Sequence, residues 1–238
     1  MHQIVVAGIK VDVVRKDIKN LHLGVFPPDG RVRVAAPLLV DDDAVRLAVI
    51  SKLDWVKRQK EKFGEQVRQT AREYVSREDH YFGGKRYLLN VVEHVGAPMV
   101  VRYDKTTIEL LVTKGSGVHE RERIMLQWYR KELKTILPPL LEKWSNRLGV
   151  EVVECRIKRM KTKWGSCNIE AKRIWLNLEL AKKPTHCLEY ILVHEMMHLK
   201  ERYHNERFNE LMGQYMPQWR MYRDELNRTP LAHENWIY

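Results

Sequence analysis

A chain of 238 residues is long enough to bury a core of its own, as one large domain or two small ones, and needs no disulfide staples. Its three cysteines, Cys155, Cys167 and Cys187, form no Cys-x-x-Cys pair, which argues against a disulfide framework or a cysteine zinc ribbon and favours a reducing, cytoplasmic setting. A formal net charge of +11 biases the chain toward polyanions, nucleic acid among them, without choosing one; the plainer reading is a basic solvated face.

In chain order, Met1 to Val14 holds an apolar run broken by Gly8, Lys10 and Asp12, without the basic leader or cleavage site of a signal peptide. No later stretch has the length of a membrane span, so a soluble protein with no membrane partner is expected. From Gln3 to Pro37 the apolar residues alternate: Ile9, Val11 and Val13, then Leu21 and Leu23, then Val32 and Val34, with Pro27-Pro28-Asp29-Gly30 as a turn. That spacing predicts an antiparallel meander. Asp41 to Asp43 offer helix caps, and Ala44, Leu47, Ile50, Leu53 and Val56 follow the helical period, predicting one helix to about Arg72. Strands are then expected around Gly83-Gly84 and over Leu88 to Val92, Met99 to Tyr103 and Ile108 to Val112.

The helical period returns from Glu120 to Leu148, where Ile124, Trp128, Leu133, Ile136, Leu140 and Trp144 supply a stripe. Pro138-Pro139 should kink or break that helix. Alternation over Val150 to Arg159 and Arg173 to Leu178 predicts two more strands, joined by a loop through Lys163 to Asn168. Pro184-Thr185 opens a helix running through His198, Asn205 caps another, and a last one follows Pro217. The expected class is α+β, with a β-rich region at residues 1–115 containing one helix and a helical region at 116–238.

The segment His194-Glu195-Met196-Met197-His198 carries the chemistry. Four residues along a helix return a side chain to nearly the same face, so two imidazoles can address one metal ion, zinc above all, although nickel, cobalt or copper would also suit them. Glu195, one step round, can take the proton of a metal-activated water during hydrolysis. Leu188, Ile191 and Leu192 bury the helix and so hold the ligands rigidly. A catalytic zinc usually takes three protein ligands. His204 is the leading third, provided the helix ends near Lys200 to Arg202; Glu201 and Glu210 are substitutes. An accidental motif on an ordinary amphipathic helix is the bland alternative, and the buried flank and third histidine weigh against it.

Further residues widen the match. Arg159-Met160-Lys161-Thr162-Lys163-Trp164-Gly165-Ser166-Cys167 and Ile174-Trp175-Leu176-Asn177 lie upstream, and His204, Phe208, Pro217 and Trp219 downstream. Together they resemble the YgjP-like family of metal-dependent hydrolases, related to SprT-type and WLM-type zincins. The specific part covers about Val152 to Leu226, and the N-terminal half agrees only in general pattern. Tyr203-His204-Asn205 stands where Asn-His-Ser or similar is usual, and Met197 where a smaller residue is frequent. The resemblance implies a zincin-like catalytic half joined to a β-rich half, with His194, His198 and His204 as ligands and Glu195 as base. It implies a peptide or protein substrate, with a nucleoside triphosphate (UTP) pyrophosphatase as the alternative, while the basic charge keeps a nucleic-acid-associated zinc protein as a second.

Trp164 and Ser166 are candidates for touching substrate, against a packing role for Trp164 and Cys167. Lys161 and Lys163, with Arg156 and Lys158, could hold phosphates or form a solvated face. Tyr203 and Tyr215 could steady an oxyanion, though core packing suits them better.

Overall fold

The computed structural model describes residues 2–26, 30–65, 72–160 and 163–228, except the side chains of 62–65 and 228. The fold is α+β, in two compact units divided near residue 68.

The first unit holds strands β1 (His2–Val6), β2 (Ile9–Lys16), β3 (His22–Phe26) and β4 (Arg31–Pro37) and helices α1 (Asp42–Ile50) and α2 (Leu53–Glu65). The strand order is β1-β2-β4-β3, and β2 pairs with β4 in parallel, so the sheet is mixed where alternation predicted a meander. Burial explains the arrangement: Val11, Val13, Val32 and Val34 are fully enclosed, which suits the two central strands, whereas β3 is only partly covered and takes an edge. The Pro27-Pro28-Asp29 turn lies outside the described residues.

Asp41 caps α1, its side chain accepting from the Ala44 amide at 2.8 Å. The expected single helix breaks at Ser51, whose hydroxyl donates back to the Ala48 carbonyl at 2.9 Å. The buried stripe is Val45, Val49 and Val56, while Leu47 is 67% and Ile50 53% exposed. Both residue sets fit a helical period, and the valines are the ones that face the valine-lined sheet.

In the second unit, β5 (Asp79–Phe82), β6 (Lys85–Glu93), β7 (Met99–Arg102) and β8 (Thr107–Val112) form a sheet of order β5-β6-β8-β7. Leu89, Ile108, Leu110 and Val112 from this sheet enter the same core as helix α3 (Val118–Leu148). The compact unit therefore begins well before residue 115, where the composition changes from strands to helices. Helix α3 passes through Pro138-Pro139 as one element. Proline removes amide donors to the carbonyls of Lys134 and Thr135, and both residues are exposed, so solvent can satisfy them.

Strands β9 (Glu154–Lys158), β10 (Gly165–Asn168) and β11 (Arg173–Asn177) form a small sheet of order β10-β11-β9. The expected loop at Gly165 to Asn168 is thus an edge strand, paired antiparallel with β11. A 3-10 turn (Leu178–Lys182) leads to α4 (Thr185–Met197), followed by α5 (Glu206–Tyr215) and α6 (Trp219–Arg228).

Several contacts fix α4. Trp144 Nε1 and Lys143 Nζ from α3 both donate to Glu189 Oε1 at 2.6 Å. The Gly83-Gly84 hairpin docks beside its start, Gly83 donating to the Ala181 carbonyl at 2.9 Å. Gly84 has φ of 79°, and a Cβ there would lie 2.6 Å from Pro184 Cγ, so glycine is needed for both conformation and space. Among the described residues, no helix is long and apolar enough to cross a membrane.

Candidate metal centre

Helix α4 carries an apolar load on nearly every side: Leu188, Ile191, Leu192, Val193, Met196 and Met197 are all buried. His194 and Glu195 therefore sit on a helix held from all round. His198 is its C-terminal cap, and Lys200 and Glu201 donate amides to the Met197 carbonyl as the chain turns away. That turn meets the condition on His204. Asn205 then starts α5, its side chain accepting from the Phe208 amide at 2.9 Å.

The ring nitrogens of His194, His198 and His204 converge, one from each lying within 4.8 Å of the others. His194 Nε2 and His204 Nε2 are 2.9 Å apart. Phe208, buried, lies with its ring 4.8–5.0 Å from all three imidazoles and forms the floor of the group. Sequence reasoning noted Phe208 as an aromatic without this role; its place two turns of chain beyond His198, after an N-cap, was the available signal.

Electrostatics favours the neutral ring at His194 and His198. Burial, helped by the neighbouring imidazoles, pushes His194 down to about 3, and burial lowers His198 as well. His198 Nδ1 lies 3.2 Å from the Glu201 carbonyl, which favours a proton on Nδ1 and leaves Nε2 its lone pair. His194 Nδ1 is buried with no hydrogen-bond partner among the described residues, so packing against Tyr190 and Phe208 orients that ring. Three converging imidazoles make a donor set that fits a divalent transition metal.

Glu195 is 6% exposed, and burial raises its carboxyl to about 7 against the opposing charge of Lys163. The carboxylate lies directly on the backbone of β10: a Cβ on Gly165 would stand 2.6 Å from Glu195 Oε1 and 2.7 Å from Cγ. Glycine at 165 is what lets the edge strand approach the acid. Asn177 ties this strand down, Nδ2 donating to the Met160 and Lys163 carbonyls at 2.7 and 2.8 Å while its amide donates to the Trp164 carbonyl at 2.9 Å. Neither Gly165 nor Asn177 was singled out from sequence for these roles, since both depend on contacts between distant segments.

The group opens into a cleft of about 860 Å³ bordered by Lys163, Ser166, Cys167, Glu170, Lys200 and Arg202. Ser166 and Lys163 thus reach the cleft. Trp164 is half-buried, with Lys183 Nζ 5.5 Å from its ring centroid, and does not line it. Lys161 lies outside the described residues. Arg156 and Lys158 stack over Trp175 at 5.4 and 5.9 Å, on the solvated side of the small sheet. Glu201 accepts the Tyr203 amide at 3.2 Å, Glu210 is exposed, and neither belongs to the histidine group. Tyr203 is exposed and Tyr215 packs under Lys200; neither borders the cleft.

A family model described as the YgjP-like metallopeptidase domain matches residues 19–229. Comparison with curated proteins gives no match. Among solved structures, the crystal structure of the metallopeptidase zymogen of Pyrococcus abyssi abylysin is similar at 24% identity, over 39% of this chain and 97% of that one, with a TM-score of 0.35. With the family match covering all but the two ends, this chain belongs to the YgjP-like family and carries its metallopeptidase domain.

Proposed function

We propose that the protein is a zinc-dependent peptidase in which His194, His198 and His204 hold the ion and Glu195 is the general base. Its family makes it a metal-dependent hydrolase of the peptidase type. The observation that supports the finer reading is the convergence of three imidazole nitrogens beside a buried carboxylate at an open cleft.

When bound, the ion would supply Lewis acidity, polarising a carbonyl and acidifying water. Glu195 accepts the proton of the attacking water at its carboxylate and delivers it to the departing amine. A carboxyl poised near neutrality suits both transfers, and its seat against Gly165 fixes where it acts. Lys163 lies near enough to favour the ionised, proton-accepting form. Ser166 would contact substrate, a role supported by its position on the edge strand that borders the cleft. The three free thiols suit a reducing compartment such as the cytoplasm.

The nucleotide alternative rests on the positive charge and the family resemblance, and the nucleic-acid alternative on the charge alone. Of the cations expected to take phosphate, Lys163 borders the cleft, Lys161 lies outside the described residues, and Arg156 and Lys158 stack on Trp175 and do not line it. The metallopeptidase family favours the peptide substrate. Zinc-loaded protein incubated with casein, UTP and other triphosphates separates the readings: peptide release abolished by Glu195→Gln, with zinc retained, is the expected result. Phosphate release alone would overturn the peptidase assignment, and full turnover by Glu195→Gln would remove the base.

A further inference from the structure

Two turns before His194, helix α4 carries a second group of ligand-type side chains outside the cleft. His186 Nε2 lies 2.7 Å from Glu225 Oε2 on α6. Cys187 joins them, the sulfur, nitrogen and oxygen all lying within 4.8 Å of one another. The His186 ring also packs on Tyr222, with centroids 4.9 Å apart. Cys187 is fully buried, whereas the side chains of His186 and Glu225 are 40% and 41% exposed, so the trio has a sealed wall and a mouth open to solvent.

An ion pair accounts for the His186–Glu225 contact and leaves the thiol unexplained. Among the described residues, Cys187 Sγ has a long contact to the Tyr222 carbonyl at 3.8 Å. Imidazole nitrogen, thiolate sulfur and carboxylate oxygen are each ligands that zinc accepts, and the sulfur discriminates against magnesium and calcium.

We propose that His186, Cys187 and Glu225 form a second zinc site, structural in role, which pins α6 to the first turn of α4. On coordination the Cys187 S–H bond breaks, the sulfur keeps the electron pair and bonds the ion, and the proton passes to solvent. The neutral imidazole and the carboxylate bind without losing a proton. Burial holds the free thiol up at about 11, with Glu225 adding to that rise and Lys183 opposing it, so zinc uptake here releases a proton near neutral pH. The pin also steadies the cleft indirectly: Trp219 of α6 stacks on Tyr190, with centroids 6.5 Å apart, and Tyr190 borders His194.

The test is metal content of the full chain, loaded with excess zinc and washed with a weak chelator. Two ions per chain are expected for the unaltered protein, one for Cys187→Ser and for the surface change His186→Gln, and one for His204→Ala. Cobalt loading gives an independent reading: thiolate-to-cobalt absorption should survive His204→Ala and vanish in Cys187→Ser. A single ion that Cys187→Ser and His186→Gln both leave in place would overturn the second site, as would a thiolate band that outlasts Cys187→Ser. Loss of metal in His204→Ala reports on the cleft alone, so failure of the two sites can be told apart.

Discussion

The sheet of β1 to β4 and the sheet of β5 to β8 follow one plan: an antiparallel pair, a parallel pair, and an antiparallel edge strand in the same order. What lies on them differs. The first is closed by two short helices, and among the described residues its buried hydrophobic side chains are isoleucine, valine and alanine. The second shares one core with α3 and α4, to which Phe82, Trp128, Tyr129, Trp144 and several methionines contribute. An identical strand order therefore serves once as a self-contained module and once as a wall of a larger interior. Only the larger interior can enclose α4 on nearly all sides, and enclosure is what keeps His194 uncharged and Glu195 near neutrality.

Changes in the two regions should separate accordingly. The largest effect is expected from Glu195→Gln, which should lower kcat by roughly 10²–10⁴-fold with metal retained, as loss of a general base does. Peptide-hydrolysis kinetics with metal analysis checks it. Gly165→Ala should come next, lowering kcat about 10²-fold by displacing the carboxylate while leaving KM nearly unchanged; wild-type kcat in that variant would show the close approach to be unimportant. Leu192→Ala, in the larger core, should cost about 2–5 kcal/mol in denaturant unfolding. Val34→Ala, in the smaller core, should cost about 2 kcal/mol and leave the turnover of folded protein intact.

Acid should sharpen the contrast further. His80 on β5 is pushed from 6.5 to about 4 by burial, with Glu78 partly opposing. The unfolded chain therefore binds a proton that the folded one refuses, and stability falls as pH drops from 6.5 toward 4, by roughly 1–3 kcal/mol. Asp12 on β2 behaves differently: burial raises its carboxyl, but hydrogen bonds from Arg31 and Gln3 prevail and hold it below 3.8. Its contribution is present above 3.8 and is lost only as pH falls through the lower folded value. Amide exchange should show β5 and β6 weakening at mildly acidic pH while β1 and β2 stay protected; simultaneous loss would contradict the assignment.

The histidine group was legible because its geometry is local: a four-residue spacing on a helix, a turn, and Asn205 as the cap of the next helix are all short-range signals. Strand pairing was not, since alternation marks which face is buried and says nothing of which strand lies alongside. The β2–β4 parallel pair and the edge strand at Gly165 both fell into that gap. In α1 two residue sets satisfied the same period, and only the sheet beneath chose Val45 and Val49 over Leu47 and Ile50. The roles of Phe208, Asn177 and Gly165 arise from partners far along the chain and have no local signature.

The absence of a side chain at position 165 sets a boundary for anyone reshaping this cleft. Ser166 and Asn168 border the opening, where a changed side chain would alter the lining of the cleft. One step earlier even a methyl group has nowhere to go, because the acid already fills the space, so the wall of the cleft can be reshaped at Ser166 but not where the strand begins.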